Sequence, residues 1–277
     1  MKIVIPMAGS GQRFIDAGYK DPKYFIKIRG KHMIDYVCDM FNRDSDEFVF
    51  IVDVKVYQNA RTRFDSFQKS FKNAVILTIP SHARGPVWSV FTIACDYIEK
   101  EKPVIIVHCD TPFKWDYNIF IDFAGNKDGV LVSNTGFHPH SLSSTLMAHS
   151  KTDINNKILE VREKDCYTLN HFNEHASAGL YYFSKGEYIY KYFGELIENN
   201  INYNGEFYVT LAYNLMIKDG LQVYSYPVEY VLSFGTPADV ENFEAWQTIL
   251  DGAQVKNHEH LISCYNYWKR YRGLCRL

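Results

Sequence analysis

The sequence predicts an α/β fold in which a single mixed sheet is flanked by helices within one domain. Three observations lead there. Short apolar runs alternate with helix-length amphipathic segments over the first half of the chain, the pattern of βαβ units. Those runs are apolar throughout rather than every second residue, as parallel strands covered on both faces require. In the second half, strand-like runs follow one another with only turn residues between them, so the sheet is expected to become partly antiparallel.

Element by element, Lys2–Pro6 reads as a buried strand and Met33–Asn42 as a helix with apolar residues at Met33, Ile34, Val37 and Phe41. Phe48–Val52 is a strand, Val56–Phe67 a helix, Ala74–Ile79 a strand and Val87–Ile98 a helix. Val104–Val107 is an apolar strand that runs to Asp110. Val130–Val132, Ser144–Ala148, Ile158–Arg162 and Gly179–Phe183 are strand-like, and Asp153-Ile154-Asn155-Asn156 has the composition of a hairpin turn. Helices are expected at Gly186–Ile197 and Glu206–Ile217, and a terminal one at His258–Tyr271. This organisation gives a domain over residues 1–250 and a helical extension over 251–277 packed on it.

Composition narrows the function. With 47% hydrophobic and 22% charged residues the chain has ample material for a core. Lys and Arg total 30 and Asp and Glu 32, a net charge of −2, which leaves no basic footprint for nucleic acid. No apolar run approaches the ~20 residues of a membrane span. Met1 leads directly into a strand without a signal-peptide layout. The six cysteines (Cys38, Cys95, Cys109, Cys166, Cys264, Cys275) form no CxxC pair, which argues against structural zinc and fits a reduced, cytoplasmic setting.

The loop after the first strand, Met7-Ala8-Gly9-Ser10-Gly11-Gln12-Arg13-Phe14, is the most informative segment. Its glycines permit close backbone approach, and successive N–H groups there can cradle an anion. Arg13 adds a cationic fork suited to phosphate oxygens. A dinucleotide fingerprint would need glycine where Phe14 stands, and no GxxxxGK[ST] phosphate loop occurs. Gly-x-Gly alone is equally a tight turn. Ten residues on, Pro22 restricts Asp21 and fixes the approach to Lys23, so Lys23 is expected as a positioned charge.

The joined pattern Pro6-Met7-Ala8-Gly9-x-Gly11-x-Arg13-Phe14, Pro22-Lys23 and Ile28-x-Gly30-Lys31-x-Met33-Ile34-x-Tyr36 resembles the nucleotidyltransferases that make sugar nucleotides and related activated compounds. The resemblance is tight over residues 1–40 and extends in patches to about residue 245. It implies a Rossmann-like, glycosyltransferase-A type fold and transfer of a nucleotidyl group from an NTP to a phosphorylated acceptor, with release of pyrophosphate. It places Ala8, Gly9, Ser10, Gly11, Arg13 and Lys23 on the nucleotide, with Arg13, Lys23 and Asp110 as the catalytic set. Asp110 would hold Mg²⁺, or Mn²⁺; on the residues alone, Asp110 can also simply open a turn with Thr111-Pro112. His108-Cys109-Asp110 stands where related glycosyltransferases show Asp-x-Asp, which favours nucleotidyl over glycosyl transfer.

Later segments extend the match. Ser81-His82-Ala83-Arg84-Gly85-Pro86-Val87-Trp88-Ser89 resembles the second nucleotide loop, with Ser81 and Gly85 beside the base, although Gly85-Pro86 also reads as a helix start. The glutamine that often reads thymine or uracil there is absent between Phe71 and Trp88. Glu163-Lys164 resembles the pair in which lysine holds the acceptor phosphate, and Gly179 and Glu206 fall in segments that face the acceptor; on the residues alone Lys164 also reads as an exposed hairpin lysine and Glu206 as a helix-start carboxylate. Phe234-Gly235-Thr236-Pro237-Ala238-Asp239 matches a further segment, but Ser233 stands where a second metal-binding aspartate is usual. Asp239 is read as a helix N-terminal residue.

Within the family, the opening, the Asp-Pro-Lys-Tyr-Phe and Gly-Pro-Val-Trp-Ser segments, the missing glutamine and Ser233 are closest to the CTP-dependent phosphoglutamine cytidylyltransferases of bacterial capsule phosphoramidate synthesis. That resemblance implies CTP and L-glutamine phosphate as substrates and CDP-L-glutamine and pyrophosphate as products. A hexose-1-phosphate nucleotidyltransferase is the alternative. A non-catalytic nucleotide-binding subunit is a third reading, opposed by the intact Arg13, Lys23 and Asp110. The aromatic segment Tyr265-Asn266-Tyr267-Trp268 is a candidate surface for a homo-oligomer contact or for packing on its own domain.

Overall fold

A computed structural model describes residues 1–136 and 147–250. The first strand, β1 (Lys2–Pro6), lies at the centre of the sheet. It is followed by α1 (Gln12–Asp16), a small hairpin of β2 (Lys27–Ile28) and β3 (Lys31–His32), and α2 (Met33–Cys38). Next come β4 (Glu47–Asp53), α3 (Val54–Asn59), α4 (Arg61–Gln68), β5 (Asn73–Ile79), α5 (Gly85–Ser89) and β6 (Val104–Val107). These four sheet strands run parallel in the spatial order β5-β4-β1-β6. The order reverses between β1 and β6, and such a reversal opens a crevice at the carboxyl ends of the strands.

The second half completes the sheet with antiparallel pairing, as expected. After α6 (Tyr117–Ala124) come β7 (Gly129–Asn134), β8 (His149–Thr152), β9 (Ile158–Arg162) and β10 (His175–Phe183). Then follow α7 (Gly194–Glu198), α8 (Val209–Lys218), β11 (Val223–Pro227) and α9 (Pro237–Leu250). β10 is antiparallel to both β6 and β7, and β11 closes the edge parallel to β7. β8 and β9 form a hairpin through Asp153–Asn156, where Asn156 takes a left-handed conformation and donates to the Asp153 carbonyl at 3.1 Å.

The unbroken apolar strands are explained by the two covered faces. Ile3, Phe48, Phe50 and Ile105 face a layer holding Ile34, Val37, Phe64 and Phe67 of α2 and α4. Their neighbours Val4, Val49, Ile51 and Ile106 face Val87, Val90, Tyr213 and Met216 on the opposite side. Adjacent residues on a strand point to opposite faces, so each must be apolar. A third, smaller cluster of Phe14, Ile26, Ile28, Met33, Phe234 and Val240 ties α1, the β2–β3 hairpin and α9 together.

Several expected helices differ in detail. The helix expected over Val56–Phe67 is broken at Ala60 (φ −123°, ψ 25°), which separates α3 from α4. The carboxylate of Asp53 caps α3 by accepting from the N–H groups of Lys55 and Val56 at 2.8 and 3.0 Å, so the helix starts two residues early. The Val87–Ile98 helix starts at Gly85 and loosens into a π turn over Val90–Ala94. A second π turn, Ile189–Phe193, precedes α7 in the Gly186–Ile197 segment. The Met33–Asn42 helix stops at Cys38. The helix expected from Glu206 begins at Val209, because Asn204 and Gly205 both take positive φ and close a tight turn from Tyr203 to Glu206. The strand expected at Ser144–Ala148 begins instead at His149; its first three residues lie outside the described ones, as do the expected helix His258–Tyr271 and the extension 251–277. β11 and α6 were not read from the sequence, and α9 only at its start, through Asp239 in its first turn. No helix among the described residues is long and apolar enough to cross a membrane.

One contact locks the two halves of the chain. Phe207 N–H donates to the Arg84 carbonyl at 2.9 Å, and Val87 N–H donates to the Phe207 carbonyl at 3.1 Å. Gly85, at φ +82°, lies between them, and a Cβ there would sit 2.7 Å from the Phe207 carbonyl oxygen. Left-handed strain and overpacking each cost on the order of 1–3 kcal/mol, so Gly85→Ala is expected to destabilise the fold by about 2–4 kcal/mol. Gly9→Ala, with nothing within 4 Å of its Cβ, is expected to stay within about 0.5 kcal/mol. Chemical denaturation of the two variants checks this; equal stability would refute the packing role given to Gly85.

Candidate active site

The crevice at the ends of β1 and β6 is where four distant segments meet. From β1 the chain enters the glycine loop: Ala8 is buried, Gly9 and Ser10 are exposed, and Gly11 at φ +64° starts α1. Arg13, exposed on α1, lies near enough for its charge to act against that of Lys23. Lys23 begins a 3-10 turn, Lys23–Phe25, fixed by Pro22 (φ −51°, ψ 137°), whose carbonyl accepts from Phe25 N–H at 2.8 Å. Asp110 stands just beyond β6. The segment before α9 runs beside it: Leu232 N–H donates to the Pro112 carbonyl and Phe234 N–H to the Asp110 carbonyl, both at 2.8 Å.

At the centre the Lys23 ammonium donates to Oδ2 of Asp110 and reaches the Gly235 carbonyl at 3.4 Å. Thr111 Oγ1 donates to the other carboxylate oxygen at 3.0 Å. Gly11 is needed here, since a Cβ on it would press to 3.2 Å from the Lys23 Cβ. Burial opposes the Asp110 charge, but the Lys23 ammonium, with lesser help from its neighbours, overrides it and holds the carboxyl down to about 2. Burial likewise opposes the Lys23 charge, and Asp110 overrides it, so the lysine pKa is raised. The signs fix the window. The carboxylate's stabilising contribution is fully present above its ordinary value of 3.8 and is lost as pH falls from there through about 2; the lysine's is fully present below its ordinary 10.5 and is lost as pH rises from there. The pair is fully charged across neutral pH.

His108 and Cys109 do not share this chemistry. His108 N–H donates to the Gly179 carbonyl at 2.9 Å, and its ring lies edge-on to Tyr181 at 5.5 Å. Gly179, at φ +74°, gives up its side chain to the imidazole: a Cβ would lie 2.9 Å from His108 Nδ1. The sequence links Gly179 to the acceptor; its immediate neighbour is this imidazole. Burial lowers the His108 pKa, and burial together with Asp110 pushes the Cys109 thiol up to about 12. Among the described residues no group of three or more His, Cys, Asp or Glu side chains is placed to hold a metal. Asp110 alone fits the requirement of a Mg²⁺ ion that keeps its waters and takes its other ligands from substrate phosphates. Ser233 does not add a carboxylate; its hydroxyl lies 3.3 Å from Oδ2 of Asp239. Asp239 is engaged in a reciprocal cap of α9, accepting from Thr236 N–H at 2.9 Å while its own N–H donates to Thr236 Oγ1 at 3.2 Å.

The loop that the sequence reading sets beside the base follows β5. Ser81 donates its hydroxyl to Oδ2 of Asp53, a link between the ends of β4 and β5 that the sequence did not reveal. Gly85 opens α5 with Pro86 behind it, and its bare face is filled by the Phe207 backbone. The Arg84 guanidinium stacks 3.6 Å from the Trp88 ring centroid.

A second cluster gathers Lys164 and Glu206, which the sequence assigns to the acceptor. Lys164 takes a left-handed conformation after β9 and donates to the Tyr208 hydroxyl, which donates to Oε2 of Glu206 at 2.8 Å. Beside them Glu163 is buried and accepts from Thr210 Oγ1. Burial raises the Glu163 carboxyl to about 7 against the opposing effects of Thr210 and Lys164. Tyr208 and Thr210 are connectors the sequence reading missed; their only signal is position, two and four residues after Glu206. Tyr181, on β10, is buried, and burial together with the charges of Glu163 and Asp110 pushes its phenol up.

A family described as the MobA-like NTP transferase domain matches residues 3–161, more than half of the chain. No curated protein matches. Among solved structures, a nucleoside-diphosphate-sugar pyrophosphorylase from Vibrio cholerae is 23% identical, with a TM-score of 0.71 over 88% of this chain and 99% of that one. A Bacillus anthracis protein provisionally assigned as a glucose-1-phosphate thymidylyltransferase is 16% identical, with a TM-score of 0.70 over 89% and 94%. The inositol-1-phosphate CTP transferase of T. maritima is 15% identical, with a TM-score of 0.62 over 86% and 90%. At these identities the likeness is one of fold.

The opposing influences on Asp110 can be separated. Lys23→Met removes the attraction and leaves burial, so the Asp110 titration followed by NMR is expected to move from about 2 to above the ordinary carboxylate value of about 3.9. An unchanged midpoint would show that the lysine does not hold the carboxylate.

Proposed function

This chain belongs to the MobA-like NTP transferase domain family, and on that premise we propose that it transfers the cytidylyl group of MgCTP to L-glutamine phosphate. The products are CDP-L-glutamine and pyrophosphate, and the setting is synthesis of the phosphoramidate of a capsular polysaccharide. That the chain is a nucleotidyltransferase follows from the family; the nucleotide and acceptor are our reading. The observation that carries it is the Lys23–Asp110 pair beside the glycine loop, a cation and an anion held together at the ends of β1 and β6.

An oxygen of the acceptor phosphate attacks the α-phosphorus in line, and the bond to the β-phosphate breaks with its electron pair leaving on pyrophosphate. The acceptor is already ionised, so catalysis reduces to positioning and charge neutralisation. N–H groups of Gly9–Gly11 and the Arg13 fork hold the triphosphate. Lys23 turns from Asp110 to the oxygens on which charge develops. Mg²⁺ or Mn²⁺ carried by the nucleotide would be held by Asp110 and would neutralise charge on the α-phosphate and the leaving group. Lys164 receives the acceptor phosphate, and Glu206, already oriented through Tyr208, suits the ammonium of an amino acid. The base is read by groups near Ala8 and Ser81, and the absence of a glutamine in this loop supports cytosine over uracil. A hexose-1-phosphate acceptor is the second reading, supported by the fold shared with the V. cholerae sugar-nucleotide enzyme.

Pyrophosphate release over a panel of NTPs and phosphorylated acceptors is the test. Arg13→Ala and Lys23→Ala are each expected to lower turnover by about 10²-fold or more; near-normal rates in both would overturn the assignment. With CTP and UTP in equal supply, CTP is expected to be used, with L-glutamine phosphate over glucose-1-phosphate; preference for UTP and the sugar phosphate would move the conclusion to the second reading. Lys164→Ala is expected to raise the acceptor KM by about tenfold and leave that for CTP in place. The opposite pattern would remove Lys164 from the acceptor site.

A further inference from the structure

A cleft of about 560 Å³ separates the glycine loop from the junction of α3 and α4. Gly11 and Lys23 line one wall, and Arg61 lines the other. No sequence motif pointed to this second wall. It exists because Ala60 breaks the expected helix and starts α4 at the cleft's edge. Four cationic side chains line the space, Lys20, Lys23, Arg61 and Arg63, against one carboxylate, Asp21. That carboxylate is neutralised by Arg63 at 2.5 Å, and Arg63 is further occupied by the Phe25 carbonyl at 3.4 Å and the Phe25 ring. Lys23 is engaged by Asp110. Lys20 and Arg61 are exposed, and neither has a hydrogen-bond or ion-pair partner among the described residues. The cleft thus carries two unpaired cations and opens directly from the glycine loop.

We propose that this cleft seats the β- and γ-phosphates of the nucleotide and then the departing pyrophosphate, with Lys20 and Arg61 as phosphate-binding residues. The proposal rests on the nucleotidyltransferase reading and extends its site to an element outside the signature. When the bond between the α- and β-phosphates breaks, the electron pair and its charge go to pyrophosphate, and these two cations in the cleft beside the glycine loop meet that charge. A planar guanidinium also offers paired donors to phosphate oxygens.

Calorimetric titration with magnesium pyrophosphate tests this without turnover. Lys20→Ala and Arg61→Ala are each expected to weaken binding about tenfold and the double variant by more, with Arg61→Lys partly restoring it. CMP, which lacks both phosphates, is expected to bind the double variant as it binds the wild-type chain. Pyrophosphate affinity equal in wild type and double variant, no pyrophosphate binding by the wild type, or equal losses for CMP and pyrophosphate would each overturn the proposal. Failure of the wild type to release pyrophosphate from any NTP would instead overturn the reading on which it rests.

Discussion

The ion pair between Lys23 and Asp110 is the constraint around which the rest of the molecule is arranged. Its partners are 87 residues apart in the chain. Bringing them together needs β6 beside β1, a bare Gly11 under the lysine, and Pro22 to fix the approach. It also needs the segment before α9 laid against Asp110 through backbone hydrogen bonds. The two charges are partly withdrawn from water, where an unpaired charge is costly. Each therefore stabilises the other in the ligand-free chain, and each is available to an incoming phosphate or its cation.

The cluster at the end of β9 is built differently. Lys164, Tyr208 and Glu206 form a chain of donors and acceptors, with the buried Glu163 behind it. Tyr181 feels the charges of both Glu163 and Asp110. The contact of Phe207 with Arg84 and Val87 sets the two halves at a fixed separation. The hydroxyl of Tyr208 is the hinge of the arrangement, because it both receives the lysine and orients the carboxylate. A phosphate that captured Lys164 would release that hydroxyl, so phosphate binding and the orientation of Glu206 are coupled through one atom.

Much of this was legible in the sequence, for physical reasons that can be named. Strands apolar on both faces announced themselves, and β1, β6 and β9 have the boundaries read for them. The glycine loop and Lys23 were legible because a signature constrains backbone and charge together. Helix boundaries were less so. The break at Ala60 has no glycine or proline to mark it, and the Asn204-Gly205 turn that displaces the start of α8 sat inside a segment read as helical. β11 escaped because its two tyrosines are only half-buried at the sheet edge and the polar Ser225 takes a buried position between them. Gly85 and Gly179 were read as places for a substrate; packing against Phe207 and His108 accounts for their missing side chains. Long-range connectors such as Tyr208, Thr210 and Asp53 left no local trace, because their meaning lies in partners far along the chain.

The central claim is that the Lys23–Asp110 centre directs attack to the α-phosphorus and no other. Phosphorus NMR of a reaction mixture with CTP and L-glutamine phosphate tests it most directly. The account predicts that pyrophosphate and a new diphosphate diester appear in equal amounts, with no orthophosphate and no CDP. CDP accumulating, either with a diphosphorylated acceptor or with orthophosphate, would mean attack at a phosphorus other than the α and would contradict the account.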